Sequence, residues 1–206
     1  MRDPYHPTPI DQPRIAIDGH AAESVQAVYV AFNKPRGLVV STADEQGRNT
    51  VYTALAEAGL PWLGPVGRLD KASEGLLLLS NDTTWAAGIT EPATHVAKTY
   101  HVQVAGQPDE SALAAMRVGV GDAGELLRAK QVTLLRAGEK NAWLEVVLDE
   151  GRNRHIRRLL AALGFDVLRL IRVAIGPLAL GDLAKGQWRR LDEDEVRSLA
   201  TTTTRR

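Results

Sequence analysis

Asp70 is the residue of this sequence best placed for acid–base or nucleophilic chemistry. It stands in the segment GRLDKASEGLLLLS (67–80), in a polar turn a few residues before a continuous apolar run. Such a run is typical of a strand buried on both faces, so Asp70 is expected at the edge of the core, anchored but accessible. An isolated aspartate in a loop often only caps a turn, which is the first alternative. Glu74 leaves a second alternative, a carboxylate pair of the kind that glycosidases use.

A second candidate is the basic segment GRNRHIRR (151–158), which holds four arginines, one histidine and no acid. It opens a helix whose apolar residues recur at i, i+3, i+4 and i+7, starting from Ile156. Guanidinium groups at a helix N-terminus are unfavourable because that end carries partial positive charge, and an anion would relieve the repulsion. The alternative is a solvated basic face. Arg157 flanks the apolar stripe and could reach a buried acid, whereas Arg154 and Arg158 lie on the opposite side.

Two shorter segments add candidate side chains. Tyr100 follows Lys98 at the start of an alternating strand, where a tyrosine usually packs, although an exposed ring can stack on an unpaired base. The segment FNKPRG presents Lys34 and Arg36 on what is otherwise an ordinary strand-ending turn. The five histidines form no metal-ligand pattern, and neither a P-loop nor a dinucleotide-binding fingerprint is present. The sequence therefore predicts no metal site.

The elements that must position these side chains mix strands and helices without regular βαβ spacing, which favours an α+β fold. Asn153 is the expected N-cap of the helix after the basic segment, and Gly164 is the expected left-handed residue after its end. The helix near residue 51 is expected to follow Asn49 or Thr50 and to end at Gly59. Alternation and apolar runs predict strands at 28–34, 75–80, 100–104, 142–148 and 167–173, and helices at 51–58, 109–118 and 192–199.

Composition narrows the function classes. The chain has 206 residues, 44% of them hydrophobic, and no cysteine, which excludes disulfides, thiolate metal sites and thiol nucleophiles. No apolar run is long enough to be a signal peptide or to cross a bilayer, and we expect a cytoplasmic protein. The 25 basic and 25 acidic side chains balance, so phosphate binding would depend on a local basic face. We expect a flexible arm at 1–27, a catalytic domain at 28–200 and a flexible tail at 201–206.

Five ordered segments resemble the RsuA-type family of ribosomal RNA pseudouridine synthases, and within it the RluE subgroup, which modifies large-subunit (23S) RNA. Together they span roughly residues 28–191. The combination of GRLD before an apolar strand with GRxR-x-[IV]-RR far downstream is specific to the family. The matching segments are FNKPRG with DEQGRNT, GRLDKASEGLLLLSND, KTYHVQVAG, EGRNRHIRRLLAALGF and LRLIRVAIGPLALGDLAKGQWRRL.

The resemblance implies a role for each candidate. Asp70 matches the family's essential aspartate, Tyr100 the tyrosine that stacks on the target uracil, and Arg157 the basic partner of the aspartate. The implied fold is the pseudouridine synthase fold, a mixed, mostly antiparallel sheet in two lobes with a central RNA-binding cleft. The further residues expected to contact RNA are Lys34, Arg36, Arg68, Lys98, Arg152, Arg154, His155 and Arg158.

Two departures from the family pattern accompany the resemblance. The arm is too short for the S4-type RNA-binding domain that many relatives carry, so we expect none. His155 stands where relatives commonly have glutamine, so one contact to RNA is expected to differ.

The implied activity is the isomerisation of a specific uridine to pseudouridine in ribosomal RNA, a reaction that needs no cofactor because nothing is oxidised or added. We expect a monomer whose partner is large-subunit RNA. Pairing with Arg157 would lower the pKa of Asp70 and fix its orientation. Whether Asp70 attacks the sugar, attacks the base or removes a ribose proton stays open. The alternatives are a non-catalytic RNA-binding module, a synthase acting on another RNA, and a glycosidase or nucleoside hydrolase using Asp70 with Glu74.

Overall fold

The computed structural model describes residues 16–17, 20–21, 26–41 and 49–202. Within these ranges, no helix combines the length and the apolarity needed to cross a membrane. Most of the expected arm, residues 42–48 (which include the first five residues of the DEQGRNT segment) and the end of the expected tail lie outside the described residues. The part of the arm that is described contains a short antiparallel pair of two-residue strands.

The strands alternate with loops and helices along the whole described chain. In chain order they are β1 (Ala16–Ile17), β2 (His20–Ala21), β3 (Tyr29–Lys34), β4 (Gly64–Val66), β5 (Glu74–Ser80), β6 (Lys98–Ala105), β7 (Val120–Asp122), β8 (Glu125–Leu127), β9 (Gln131–Ala137), β10 (Asn141–Leu148), β11 (Val167–Ile175), β12 (Leu178–Ala179) and β13 (Trp188–Arg190). All five predicted strands are therefore confirmed.

The helices are short. They are α1 (Val51–Leu55), α2 (Thr83–Thr90), α3 (Glu110–Val118), α4 (His155–Ala162) and α5 (Glu193–Thr202), with a 3-10 turn at Pro92–Thr94. The helix predicted at 51–58 begins at the expected residue, but α1 ends about one turn earlier, at Leu55. Helix α5 continues to Thr202, three residues beyond the end predicted for it at residue 199.

The start of α4 also departs from prediction. Arg154, not Asn153, is the N-cap residue, and it takes a left-handed backbone with φ of 49°. Arg152 and Arg154 therefore lie before the first helical turn and not on it. Gly164 has φ of 82°, as expected for the residue that follows a helix end.

Within the described residues, nine strands form one mixed sheet in the order β13-β3-β5-β11-β6-β10-β9, with β4 added beside β5 and β12 beside β11. Every pairing in this sheet is antiparallel except the one between β5 and β11. The prediction of an α+β fold with a mixed, mostly antiparallel sheet is confirmed.

Strand β5 is the central strand of one half of the sheet. All seven of its residues are buried, because β3 and β4 pair with it and apolar clusters cover both of its faces. Leu76 and Leu78 pack in one cluster with α2 and α5, while Leu77 and Leu79 pack in another with β3 and α1. The continuous apolar run before which Asp70 stands is therefore a strand buried on both faces, as predicted.

The other half of the sheet has its own core. Strands β6, β9 and β10 place alternate residues against α3 and α4, and Leu144, Leu159 and Leu160 are among the fully buried side chains there. The apolar stripe of α4 provides the contact. The two halves of the sheet thus have separate cores.

The two halves meet at a short parallel seam between β5 and β11. Only two residue pairs form its register, Ile171 with Glu74 and Arg172 with Gly75. Gly75 has φ of 100°, and a Cβ at this position would lie 2.3 Å from the backbone oxygen of Arg172. Close approach of the two backbones therefore requires glycine here. The side chain of Arg172 adds a cross-link, because its Nε donates to the carbonyl of Leu76 at 2.7 Å.

Replacement of Gly75 by alanine is expected to destabilise the protein strongly, since the new methyl group meets backbone that cannot move without opening the seam. We expect a loss of at least about 2 kcal/mol in the free energy of unfolding, measured by urea denaturation. Gly121→Ala is the matched control: its Cβ would meet nothing within 4 Å, and it should change stability by less than about 0.5 kcal/mol. Equal effects of the two substitutions would contradict this view of the seam.

Candidate active site

Asp70 lies in the loop between β4 and β5, one turn before the seam. The Ser73 N–H donates to the backbone oxygen of Asp70 at 2.9 Å, and Leu69 anchors the loop in the core. The Asp70 side chain is half-buried at the wall of a cleft. The loop therefore holds a carboxylate in a fixed place with one side open to solvent.

Lys34, at the end of β3, supports this loop from below. Its side chain is 0% exposed, and Nζ donates to the backbone oxygens of Ser73 at 2.7 Å, Pro35 at 3.1 Å and Asp70 at 3.2 Å. Burial lowers the pKa of Lys34 to about 8, although the charges of Asp70 and Glu74 oppose this. The expected contact of Lys34 with phosphate is not what this buried arrangement favours. The residue organises the Asp70 loop instead.

Glu74 does not share the site with Asp70. Its side chain is buried, 3% exposed as a residue, and receives two hydrogen bonds of 3.1 Å from Arg169 and an ion pair from Lys185. Burial alone would raise the pKa of Glu74, but these hydrogen bonds and charges outweigh it and lower the pKa. The residue does not line the cleft. The glycosidase-like pair of Asp70 with Glu74 is therefore wrong, and Glu74 is an ion-pair anchor beside the seam.

The cleft at Asp70 has a volume of about 200 Å³ and lies between the two halves of the sheet. Of the predicted site residues, it brings together Arg68, Asp70, Lys98, Tyr100, Arg152, Arg154, His155 and Arg157. It does not include Lys34, Arg36 or Arg158. The cleft is basic, because six cations and three acids are found among the described residues of its lining. The cations are Arg68, Lys98, Arg152, Arg154, Arg157 and Arg172, and the acids are Asp70, Asp149 and Glu150.

Arg157 contacts the backbone of the Asp70 loop and not the Asp70 carboxylate. Its Nη2 donates to the oxygen of Ala72 at 3.2 Å and its Nη1 to that of Val167 at 3.4 Å. Among the described residues no ion pair of 4.0 Å or less joins Arg157 to Asp70, which differs from the expected direct pairing. Burial lowers the pKa of Arg157, Arg154 lowers it further, and the charge of Asp70 acts in the opposite direction.

Tyr100 stands on β6 at the junction of the two halves. It pairs across the sheet with Val146 of β10 and with Arg172 of β11. The ring is half-buried and packs against two of the core clusters, yet it still lines the cleft. A face held this way could receive a planar ligand.

The basic segment divides into two parts. Arg152 and Arg154 are exposed at the cleft, and Arg152 also forms ion pairs with Glu150 at 3.1 Å and Glu125 at 3.9 Å. Arg158 lies outside the cleft lining and forms ion pairs with Asp122 at 2.6 Å and Glu125 at 2.7 Å. The charge of Arg158 is thus already paired with the β7–β8 hairpin, which differs from the expected contact of Arg158 with phosphate. Arg36 is exposed and its charge acts on Arg157, but it lies outside the cleft lining.

Arg172 is a cleft residue that the sequence reasoning missed. It is 4% exposed and follows Leu170 at the inward-facing spacing of β11. That alternation was the available signal, since an arginine at an inward position of a strand needs a partner or a ligand. Strand registers were not assigned from sequence, so the position of Arg172 was not apparent.

Unpartnered buried donors gather in this one cleft. Within the described part of the chain, buried side-chain nitrogens without a hydrogen-bond partner belong to His155, Arg157 and Arg172, and all three line the cleft. Burial lowers the pKa of His155, with a counteracting effect of Glu150. Buried polar groups are usually paired, so these donors indicate a place for a polar ligand. No group of three or more described His, Asp or Glu side chains is placed to hold a metal ion.

Comparison with known proteins gives a consistent result. The family model described as RNA pseudouridylate synthase matches residues 28–162. The chain is 41% identical over 186 residues to the ribosomal large subunit pseudouridine synthase E of Xanthomonas campestris pv. campestris, covering 82% of this chain and 98% of that protein. It is 36% identical over 176 residues to the protein of the same name from Vibrio parahaemolyticus, covering 79% and 73%.

Solved structures agree with the sequence relatives. A crystal structure of a pseudouridylate synthase matches with a TM-score of 0.72 at 32% identity, covering 84% of this chain and 74% of that chain. The archaeal box H/ACA sRNP Nop10-Cbf5 complex contains a chain that matches with a TM-score of 0.55 at 17% identity, covering 84% and 52%. The second likeness concerns the fold alone.

Lys34→Met is expected to loosen the Asp70 loop, because three carbonyl oxygens lose their common buried donor. We expect the free energy of unfolding to fall by about 1–3 kcal/mol and the amide hydrogen of Ser73 to exchange faster. Lys71→Met, an exposed lysine next to Asp70, is the matched control and should leave both unchanged. Wild-type exchange at Ser73 in Lys34→Met would show that the loop does not depend on this ammonium group.

Proposed function

The chain belongs to the RNA pseudouridylate synthase family, and from this premise we propose that it converts one specific uridine of large-subunit ribosomal RNA to pseudouridine. The relatives named as large-subunit enzymes support this choice of substrate. The observation that carries the proposal is the position of the Asp70 carboxylate in a basic cleft that also contains the half-buried ring of Tyr100.

The reaction fits a site of this kind. Isomerisation breaks the N1–C1′ glycosidic bond, turns the uracil while it stays bound, and joins C5 to C1′, after which C5 loses its proton and N1 gains one. Nothing is oxidised and no group is added, so the reaction requires a positioned carboxylate and a pocket that excludes water. Asp70 is the proposed catalytic residue, and its role as nucleophile toward sugar or base, or as a base on the ribose, stays open.

The target base must leave its stack before it can reach Asp70. Extrusion of a nucleotide costs a few kcal/mol, which stacking on an aromatic ring in the pocket offsets in part. Tyr100 is the proposed receptor for the uracil, and Arg157 is proposed to brace the Asp70 loop. His155, with its unpartnered buried nitrogens, is proposed to contact the RNA in place of the glutamine common among relatives.

Exposed cations at the cleft supply the proposed phosphate contacts. Arg68, Arg152 and Arg154 are exposed and line the cleft. Contacts from these side chains to phosphates would give affinity and orientation without reading the RNA sequence. The net charge of the chain is zero, so RNA binding is expected to depend on these few local contacts, and its salt dependence should scale with the number of phosphates they neutralise. Residues 28–200 are proposed as the catalytic domain of a cytoplasmic monomer, since ribosomal RNA is the substrate and one chain supplies the whole proposed site.

Asp70→Asn is expected to abolish pseudouridine formation while preserving RNA binding, because the amide keeps the shape of the side chain but cannot act as a nucleophile or base. The measurement is pseudouridine mapping of ribosomal RNA from a deletion strain rescued with each variant. We expect one large-subunit site to vanish in the deletion strain and to return with wild type but not with Asp70→Asn.

The exposed aspartate Asp182 provides the control for this experiment. Asp182→Asn should restore the site as wild type does. Restoration by Asp70→Asn would instead leave only an RNA-binding role for this scaffold, and persistence of every site in the deletion strain would refute the proposed substrate.

Two arginines of the basic segment should behave differently toward RNA. Arg154→Gln removes an exposed cleft cation, so we expect weaker RNA binding and a dependence of log affinity on log salt that is shallower by about 0.7–1. Arg158→Gln removes a charge already paired with Asp122 and Glu125, so affinity and salt dependence should stay near wild type. Filter binding at several salt concentrations measures both. Equal slopes for the two variants would contradict the assignment.

A further inference from the structure

Two cations lie together at the inner end of the cleft, separate from the exposed arginines at its mouth. Arg172 and Lys98 both line the cleft, on the neighbouring strands β11 and β6. Arg172 is 4% exposed and its Nη2 has no partner among the described residues. Lys98 is half-buried and donates to the backbone oxygen of Ile89 at 3.2 Å. Both charges are thus held largely away from water.

No carboxylate balances this pair closely. Within the described residues neither Lys98 nor Arg172 forms an ion pair of 4.0 Å or less, and Asp149 influences Lys98 only from a greater distance. Burial, and then the charge of Arg172, lower the pKa of Lys98 to about 8. Two like charges in a site of low dielectric are unfavourable without an anion. The arrangement therefore calls for a negatively charged oxygen supplied by the substrate.

The position of the pair favours the base over the backbone of the RNA. Arg172 lies directly across the strand pair from Tyr100, and Lys98 is two residues from Tyr100 on the same face of β6. Cross-strand neighbours on one face are about 5 Å apart, so a uracil stacked on Tyr100 would lie beside the guanidinium group. The phosphates of the RNA are expected at the mouth of the cleft, where three exposed arginines can bind them. A flipped base instead enters the cleft.

The chemistry of the proposed reaction places negative charge on that base. When N1–C1′ breaks, the electron pair stays with N1 and is shared with the uracil oxygens, whether Asp70 bonds to C1′ or takes the ribose proton. If Asp70 adds to C6 instead, the electron pair of the C5–C6 double bond moves toward O4 as an enolate. In each route a uracil oxygen gains negative charge before C5 joins C1′. Formation of the C5–C1′ bond consumes that charge, and loss of the C5 proton with gain of a proton at N1 then restores the aromatic ring.

We propose that Arg172 and Lys98 form an oxyanion-binding site for the uracil ring in the transition state. This inference rests on the proposed function. It assigns Arg172, which has a structural role at the seam through Leu76, a second role as a catalytic residue. Donors aimed at developing charge in a site that excludes water are among the most effective catalytic devices.

The test measures rate and affinity separately. The full chain is mixed in excess with large-subunit RNA carrying tritium at uridine C5, and single-turnover tritium release and filter-binding affinity are recorded. Arg172→Gln is expected to slow release about 100-fold, and Lys98→Gln at least about tenfold, each with less than about threefold change in affinity. Arg172→Lys should retain part of the lost rate. Lys130→Gln, an exposed lysine outside the cleft, should match wild type.

The variants also separate the alternatives. Lys98→Gln leaves the contact of Arg172 with Leu76 intact, so it stays informative even if Arg172→Gln unfolds. A wild-type rate in Lys98→Gln overturns the proposal. A wild-type rate with weakened affinity in both variants would assign the pair to a backbone phosphate, which also overturns it. Absence of tritium release by the wild type would refute the proposed function itself, before any variant is compared.

Discussion

The parallel seam between β5 and β11 is the constraint on which the site depends. Two residue pairs join the halves of the sheet, and they do so only because Gly75 lets the backbone of Arg172 come close. Glu74 on the seam is held by Arg169 and Lys185, and Arg172 binds the carbonyl of Leu76. The two halves are therefore joined next to the cleft by a short parallel pairing with charged cross-links.

Residues at and around the seam between β5 and β11 also supply or support the reactive side chains of the cleft. The Asp70 loop enters β5 directly above the seam, Lys34 holds the loop from below, and Arg157 binds its backbone from α4 in the other half. Arg172 continues from the seam into the cleft beside Tyr100. Residues that hold the fold together therefore also surround the carboxylate, and substitutions here are expected to affect stability and activity together.

Much of this arrangement could be predicted from sequence where local pattern decides it. The apolar run after Asp70 predicted a strand buried on both faces, and the stripe from Ile156 predicted α4. The burial of Lys34 could not be predicted, because a lysine beside a turn has no local signal of burial. The ion pairs of Arg158 could not be predicted either, because its partners, Asp122 and Glu125, come from a distant hairpin. Arg172 required the register of β11, which tertiary pairing sets.

The most direct measurement is tritium release from deproteinised large-subunit RNA labelled at uridine C5, using the purified chain. Joining C5 to C1′ expels the C5 hydrogen, so isomerisation at one uridine predicts one equivalent of tritium released per RNA, with the uracil ring retained in the chain. Release of free uracil would mean hydrolysis of the glycosidic bond. Complete retention of tritium with tight binding would mean a binding module. Either result would contradict the assignment of this cleft as a pseudouridine synthase site.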